Sequence, residues 1–174
     1  MDHRRQVTAA VWAPDGKSFV TASVDTCSPL CHWSIQGQAS HIWPAGPSIQ
    51  AVAITPDGRQ LIAAAVEEQL LVYNLYTHEQ VYCLPLYSKP MSVTVSSDSC
   101  HMLVNLSKGL IQVLHIDSTE VVHCFRGHKH ESFVIQSIFG GITENLVMSG
   151  SEGKVKWSIQ SARSSDFILL LQIL

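Results

Sequence analysis

The chain has 174 residues, of which 46% are hydrophobic and 14% are charged, and its net charge at neutral pH is −3. This composition is typical of a globular domain with its own core and excludes a disordered chain. No basic surplus is present, so we predict no nucleic-acid partner. The longest apolar run, Phe167 to Leu171, is far shorter than the roughly 20 residues of a membrane helix, so we predict no membrane partner.

The first residues and the cysteines bear on the compartment. Residues 1–5 contain no apolar stretch, which predicts that no signal peptide is present. Five cysteines, an odd number, in a chain of this length favour reduced thiols. We therefore expect the protein in the cytoplasm, with the nucleus as a further site.

A turn motif recurs along the chain. Pro-Asp-Gly occurs at Pro14–Gly16 and again at Pro56–Gly58, and related turns follow at residues 96–98 and 139–141. The step between turns is about 40 residues, which is the period of a propeller blade, a twisted sheet of four antiparallel strands. Glycine accepts the positive φ of tight hairpin turns, which accounts for the Asp-Gly pairs.

Short runs rich in Val and Ile surround each turn and predict strands in a fixed order. The runs before the turns are Val7–Ala13, Ile49–Ile54, Met91–Val95 and Phe133–Phe139. The runs after the turns are Ser18–Val24, Gln60–Val66, His101–Leu106 and Asn145–Ser151. Third runs end at Trp33-Ser34, Tyr73-Asn74, Leu114-His115 and Trp157-Ser158, and fourth runs are Ala39–Trp43, Glu79–Leu84 and Glu120–Phe125. No 3.6-residue periodicity persists, so we predict no substantial helix.

The fourth repeat contains the signature of a WD repeat. Gly127-His128 precedes Trp157 by about 30 residues, and we expect His128, Ser149 and Trp157 to join in a hydrogen-bond network. The positions that we assign to the signature are Asp15, Gly16, Trp33, Asp57, Gly58, Tyr73, Gly127, His128, Ser149 and Trp157. The predicted fold is all-β, a partial WD40 β-propeller of about four blades with four antiparallel strands each. A β-sandwich with regular turns is the alternative.

The blades are expected at about residues 1–44, 45–86, 87–126 and 127–160, which together form a WD40 region at 1–160. Residues 161–174 form a divergent tail. Its apolar run, Phe167–Leu174, either adds an outer strand to the last blade or stays exposed and promotes aggregation.

The repeats resemble those of a known family, the WD-repeat subunits of the GID/CTLH ubiquitin ligase. The residues that carry the resemblance are Val7–Thr21, Pro90–Ser96, Gln136–Gly141, Glu144-Asn145 and Ser149–Glu152. They occur in the same order as in the family, from about Val7 to about Gln160. After Glu152 the sequence departs from the family, because the hairpin to Trp157 is shorter and the tail matches nothing in it.

The resemblance implies a non-catalytic scaffold that places substrates or holds a complex together, while another subunit transfers ubiquitin for proteasomal degradation. The implied partners are other protein subunits of the ligase. The loop residues that we predict to contact a protein partner are Arg4, Arg5, Glu67, Glu68, Lys89, Lys108, Lys129 and His130. These loops join the fourth strand of one blade to the next blade, or the second strand to the third; each residue could instead be only a solvated turn.

Two groups of residues have side chains that could form a chemical site. Cys27, Cys31, His32 and His41 do not have the paired spacing of a zinc site, and we interpret Cys27 as an exposed loop residue and Cys31 as a strand residue. His128, His130 and Glu131 have no nucleophile beside them in the sequence. Motifs for phosphate, dinucleotide or serine-hydrolase chemistry are absent from the sequence, so we predict no enzyme and no cofactor. The nine histidines are scattered and do not predict a pH sensor.

Three other functions remain open from the sequence. An unrelated WD40 adaptor would have the same repeats, a propeller enzyme would need converging carboxylates or metal ligands, and a truncated product would have no function. About four blades do not close the usual ring, so we expect the end blades to expose apolar faces that need a partner.

Overall fold

The computed structural model describes residues 3–126, 136–141, 144, 146–151, 160–161 and 168–173, and from residue 151 onward it describes the backbone alone. Every regular element of this part of the chain is a β-strand, which confirms the all-β prediction. In these residues no helix has the length and apolarity that crossing a bilayer requires. The chain divides into two compact units, Met1–Pro90 and Met91–Leu174.

The first unit contains two sheets of four strands, each in chain order. The first sheet consists of β1 (Val7–Trp12), β2 (Ser18–Ser23), β3 (Leu30–Ser34) and β4 (Ala39–Ile42). The second sheet consists of β5 (Ile49–Ile54), β6 (Gln60–Ala65), β7 (Gln69–Asn74) and β8 (Gln80–Pro85). All neighbouring strands pair antiparallel, as the alternating runs and short turns predicted.

Both Pro-Asp-Gly motifs form the turn that follows the first strand of a sheet. Gly16 and Gly58 adopt φ values of +66° and +73°, which other residues reach only with strain. Asp57 holds its turn closed, because its Oδ1 accepts hydrogen bonds from the Thr55 hydroxyl at 2.5 Å and the Arg59 N–H at 3.0 Å. Burial raises the pKa of Asp57, but these hydrogen bonds outweigh it and lower the pKa overall.

The core of the first unit lies between its two sheets. The first sheet contributes Ala13, Val20, Ala22, Leu30 and Trp43, and the second contributes Ile49, Ile54, Leu61, Ala63, Ala65, Leu71 and Leu75. Along β2 and β6 the core residues alternate with residues of the opposite face, as the two-residue period of a strand requires. The facing side chains are mostly small or aliphatic, so the sheets pack closely through apolar contacts.

The third sheet lies in the second unit, apart from Pro90, the first residue of its first strand. Its strands are β9 (Pro90–Val95), β10 (His101–Leu106), β11 (Leu110–His115) and β12 (Val121–Arg126), again in chain order. The β9–β10 turn shows that a glycine is not required there, because Ser99 adopts φ +61°. Asp98 binds the Ser96 hydroxyl at 2.5 Å and the Cys100 N–H at 2.8 Å, much as Asp57 does in its own turn.

The fourth sheet differs from the prediction. Its strands are β13 (Ser137–Gly140), β14 (Leu146–Ser151), β15 (Gln160–Ser161) and β16 (Ile168–Ile173), and their order is β13-β14-β16-β15. β14 pairs parallel with β16, so the prediction of four antiparallel strands is wrong for this sheet. The tail therefore forms an inner strand and not an outer one. A run such as Ile168–Ile173, uncharged and almost wholly apolar, is typical of a strand with neighbours on both sides.

The core of the second unit joins its two sheets. Leu103, Ile111, Val113 and Phe125 come from the third sheet, Val147 comes from the fourth, and Phe139 packs against them from β13. The Thr94 hydroxyl on β9 also donates a hydrogen bond of 2.8 Å to the Ser137 carbonyl on β13. In the first unit Thr8 makes the same kind of bond to Ile49, at 2.7 Å. Within each unit, therefore, a threonine on the first strand of one sheet ties that sheet to the first strand of the next.

Candidate functional site

Several loops of the first unit lie together at one end of its strands, along a common edge of the two sheets. The Arg4 N–H donates to Asp25 Oδ2 at 2.9 Å, which joins the segment before β1 to the β2–β3 loop. The Ser48 hydroxyl donates to the Val24 carbonyl at 3.1 Å, which joins the β4–β5 loop to the same place. The Val66 N–H donates to the Ser48 carbonyl at 2.9 Å and thereby adds the β6–β7 turn.

The same edge continues to the end of the first unit. The Leu86 N–H donates to the Glu68 carbonyl at 2.7 Å, so the segment after β8, which ends in Lys89, lies beside the β6–β7 turn. We call residues 3–6, 24–29, 43–48, 66–68 and 86–89 the loop edge. Five of the predicted partner-binding residues therefore lie on one edge of one unit: Arg4, Arg5, Glu67, Glu68 and Lys89.

The charges of the loop edge are mixed. Arg4, Arg5, Glu67 and Glu68 are exposed, whereas Lys89 is half-buried. Of the other predicted loop residues, Lys108 is exposed in the β10–β11 turn of the second unit, where it adopts φ +73°. Lys129 and His130 lie outside the described residues, as do Gly127, His128 and Trp157.

The loop edge is held by Asp25, a residue of the β2–β3 loop whose hydrogen-bonding role the sequence does not show. Asp25 has a buried side chain, and its carboxylate accepts hydrogen bonds from the backbone N–H groups of Arg4 and Cys27, each at 2.9 Å. These two bonds lower the pKa of Asp25. Asp15, which we assigned to the WD signature, accepts a hydrogen bond of 2.9 Å from the Lys17 N–H within its own turn. The loop aspartate that joins two segments is thus Asp25.

A hydrogen-bond network of the WD type lies on the first sheet. The Trp33 indole N–H donates to the Thr21 hydroxyl at 2.8 Å, and His3 Nε2 lies 2.7 Å from the same oxygen. His3 Nδ1 lies 2.8 Å from the Ser28 carbonyl, so the network reaches from the strands to the loop edge. Trp33 follows His3 by 30 residues, a spacing that could have revealed it. It was missed because Asp2, and not glycine, precedes the histidine.

The other sheets differ at the equivalent positions. In the second sheet Ala63 takes the register position of Thr21, and Tyr73 takes that of Trp33, so the hydroxyl that anchors the network is missing there. In the fourth sheet Ser149 is buried and its hydroxyl contacts the Gly150 carbonyl at 3.2 Å. The predicted partners of Ser149 in a network, His128 and Trp157, lie outside the described residues.

Replacing Thr21 with valine is expected to lower the free energy of unfolding by about 1–3 kcal/mol, because the ring nitrogens of His3 and Trp33 lose their shared partner in a half-buried site. Urea denaturation followed by circular dichroism measures this loss. Thr21→Ser keeps the hydroxyl and is the matched control, which should recover most of the stability. Equal stability of the valine variant and the parent protein would show that the network contributes nothing.

Three aromatic rings form a stripe on the face of the first sheet that bears this network. Trp12, Phe19 and Trp33 are cross-strand neighbours on β1, β2 and β3. The ring centroids of Trp12 and Phe19 are 5.2 Å apart, and those of Phe19 and Trp33 are 6.4 Å apart. Because the core residues Val20 and Leu30 point to the opposite face, this aromatic face lies away from the second sheet. Trp12 is 58% exposed.

The structure brings together three histidines that are scattered in the sequence, so the interpretation that no cluster exists is wrong. His32 on β3 and His41 on β4 are cross-strand partners, and His78 reaches them from the β7–β8 turn. His32 Nδ1 lies 3.0 Å from His78 Nε2, and the rings of His41 and His78 stack with centroids 4.1 Å apart. We call these residues the histidine cluster. The pairing of strands and a turn, which the spacing of the residues does not show, creates it.

The candidate metal ligands are arranged differently from a metal site. Cys27 is exposed in the β2–β3 loop and Cys31 is buried on β3, as their positions in the sequence suggested. His32 and His41 take part in the histidine cluster. Among the described residues no group of three or more His, Cys, Asp or Glu side chains is placed to hold a metal ion.

The sheets and the His3–Thr21–Trp33 network define the class: this chain is a WD-repeat protein with the blades of a β-propeller. Residues 1–27 match the family model "WD domain, G-beta repeat". The chain is 33% identical over 157 residues to GID complex subunit 7 of Schizosaccharomyces pombe. The matched region covers 86% of this chain and 30% of that protein. The chain is 28% identical over 146 residues to an Arabidopsis thaliana homolog of WD repeat-containing protein 26, covering 81% of this chain and 24% of the homolog.

The similarity to a GID-complex WD subunit confirms the resemblance that the sequence suggested. The chain spans less than a third of the length of these relatives. Among solved structures, the WD40 repeats of RRP9 superpose with a TM-score of 0.68 at 18% identity, over 74% of this chain and 41% of that one. At this identity the superposition supports the propeller fold alone.

Proposed function

We propose that this chain is a non-catalytic scaffold that binds other subunits of a GID/CTLH-type ubiquitin ligase and so contributes to ubiquitin-dependent proteasomal degradation. The observation that carries the proposal is the 33% identity to GID complex subunit 7 over 86% of the chain. In this proposal another subunit catalyses ubiquitin transfer, and the WD repeats hold proteins in position. The propeller fold supports this role, because its loops and sheet faces offer large surfaces for protein partners.

The aromatic face of the first sheet is the surface that we assign to a partner. The equivalent face of the second sheet carries Leu61, Ala63 and Leu71, and these residues are buried against the first sheet. The register of the strands places Phe19, Thr21 and Cys31 at the same positions in the first sheet. The aromatic face of the first sheet is therefore equivalent to the face of the second sheet that packs against a neighbouring sheet. With Trp12 58% and Val7 49% exposed, it offers apolar area for binding.

The loop edge is a second surface suited to a protein. Its exposed charges are of both signs: Arg4 and Arg5 are positive, and Glu67 and Glu68 are negative. This mixture favours a protein partner with complementary charges over a polyanion. Its backbone is tied by hydrogen bonds through Asp25 and Ser48. An ordered loop loses little conformational entropy on binding.

We also propose that the protein works in the cytoplasm or the nucleus. No disulfide joins its five cysteines, which is compatible with a reducing compartment. Microscopy of a tagged protein tests this part of the proposal separately.

Reconstitution tests the proposed function. The chain would be mixed with purified S. pombe GID complex assembled without subunit 7, and binding would be followed by gel filtration. The matching segment of S. pombe subunit 7 is the positive reference. We expect both to elute with the complex. If the subunit 7 segment binds and this chain, shown to be folded by circular dichroism, elutes alone, the proposed ligase role is wrong and an unrelated WD40 adaptor becomes the better description.

Trp12→Ser is expected to weaken this binding by roughly tenfold or more, since exposed aromatic residues at the centre of an interface are common hot spots. The stability of the chain should change little, because Trp12 is more than half exposed. Titration by biolayer interferometry measures the affinity. Tyr76→Ser is the matched control, because Tyr76 is 73% exposed and lies in the β7–β8 turn, outside both the aromatic face and the loop edge. Unchanged affinity of the Trp12 variant would remove the aromatic face from the interface.

A further inference from the structure

The histidine cluster lies at the contact between the first and second sheets. His32 and His41 belong to β3 and β4, and His78 belongs to the β7–β8 turn, where it adopts φ +62°. Trp43 closes the cluster: its indole N–H donates to the His78 carbonyl at 3.1 Å, and its ring meets those of His41 and His78 edge to face at 4.7 and 5.3 Å. The same Trp43 is 3% exposed and belongs to the core between the sheets.

The contact between His32 and His78 depends on protonation. Two ring nitrogens 3.0 Å apart can share one proton, with one ring donating and the other accepting. If both rings are cationic, both nitrogens carry protons and the bond is lost. The other ring nitrogen of His32, Nε2, is buried without a hydrogen-bond partner among the described residues. A cationic His32 would place a second N–H there with nothing to accept it, which is costly in a buried site.

The surroundings of the cluster offer little negative charge. The charged or titratable groups on the neighbouring elements are Asp15 and Lys17 in the β1–β2 turn, Cys31 on β3, Tyr73 on β7, Tyr76 and Glu79 on either side of His78, and Tyr82 and Cys83 on β8. Asp15 raises the pKa of His32, but burial first, and His41 second, lower it by more. Burial raises the pKa of Tyr73, so this group stays neutral and does not compensate a cation. Glu79 is exposed, so solvent screens its charge.

The sign of the pH effect follows from these neighbours. Burial lowers the pKa of His41, and burial together with His41 and His32 lowers the pKa of His78. Folding therefore favours the neutral rings, whereas the unfolded chain takes up protons near the ordinary histidine value of 6.5. Stability from the cluster is complete above about pH 6.5 and is lost as the pH falls from there through the lowered pKa values of the folded state.

We propose that the histidine cluster makes the contact between the first two sheets pH-sensitive. The contact is stable while the three imidazole rings are neutral, and it is weakened when the rings become cationic. Opening of this contact would disturb the loop edge, because Trp43 begins its β4–β5 loop. A cavity of about 340 Å³ beside Trp43, Tyr73 and His78 gives water and a displaced ring room to move. The proposal does not depend on the ligase role.

Nuclear magnetic resonance of the full chain tests the proposal directly. We expect the imidazole signals of the three rings to titrate below the ordinary histidine range. The Trp43 indole N–H signal should become exchange-broadened over the same pH range, as its bond to His78 is released. Titration of all three rings in the ordinary range, or a Trp43 signal that does not change as they titrate, would overturn the proposal.

A second test measures the midpoint of urea unfolding at about pH 7.5 and at about pH 5.5, on either side of the ordinary histidine pKa, and compares the fall of the midpoint between variants. The variant His41→Phe combined with His78→Asn keeps a flat ring for stacking and a residue that tolerates positive φ. Among the described residues the three histidines of the cluster and His123 have a lowered pKa, so removal of two of them should reduce the pH-dependent fall of the midpoint.

His115→Gln, on β11 of the third sheet, is the matched control and should leave the fall of the midpoint as it is in the parent chain. An equal fall in the double variant and the parent chain would overturn the proposal. If the double variant does not fold, the titration of the unmodified chain still decides the question.

Discussion

Replacing Trp43 with alanine is expected to lower the free energy of unfolding by about 3–5 kcal/mol, which is the usual cost of removing a buried aromatic side chain. Trp43 is 3% exposed and lies in the core between the first two sheets. Its ring packs against Tyr73 at a centroid distance of 5.5 Å and meets His41 and His78 edge to face. The substitution therefore leaves a cavity at the point where the two sheets are joined.

Trp43→Phe separates the two contributions of this side chain. Phenylalanine keeps much of the apolar contact and loses the hydrogen bond to the His78 carbonyl, so a loss of about 1–2 kcal/mol is expected. Urea denaturation followed by circular dichroism measures both variants. Tyr87→Ala, at a residue that is 88% exposed, serves as the control and should stay within about 0.5 kcal/mol of the parent chain. If Trp43→Ala cost as little as the control, the contact between the sheets would not depend on this ring.

The strands of the first three sheets could be predicted because local signals specify them. The alternation of apolar and polar residues, together with an Asp-containing turn after each first strand, gave β5 and β10 with their observed limits. Here local preference and packing agree, so no information from distant parts of the chain was needed. The same reasoning placed Trp33 in the signature, although its partners His3 and Thr21 were not found.

The parts that could not be predicted depend on which segments meet. The histidine cluster requires the register of β3 with β4, and it requires a turn of the next sheet to lie against them. His32 and His78 are 46 residues apart in the sequence, and no local pattern links them. The fourth sheet is the second case, because the apolar run of β16 predicts a strand but does not predict its parallel partner, β14. The direction and the neighbours of β16 depend on segments distant in the sequence, which its own residues do not specify.

Replacing Phe125 with alanine is expected to cost about 3–5 kcal/mol in the second unit, because the side chain is fully buried where the third and fourth sheets meet. Phe125 lies on β12 opposite Ile111, packs in one cluster with Val147 of β14, and has its ring 4.4 Å from that of His123. Removal of the ring leaves a cavity that backbone hydrogen bonds prevent from closing fully, so both sheets lose packing contacts.

Phe125→Leu keeps most of the apolar volume and should cost less than half as much as the alanine variant. Val121→Ala is the control on the same strand, since Val121 is 47% exposed and lies outside the cluster. The urea midpoint of each variant gives the comparison. If Phe125→Ala and Val121→Ala lowered the midpoint equally, burial at Phe125 would not be what holds the fourth sheet to the third. A large loss for the alanine variant alone would show that Phe125 is part of the core that the third and fourth sheets share.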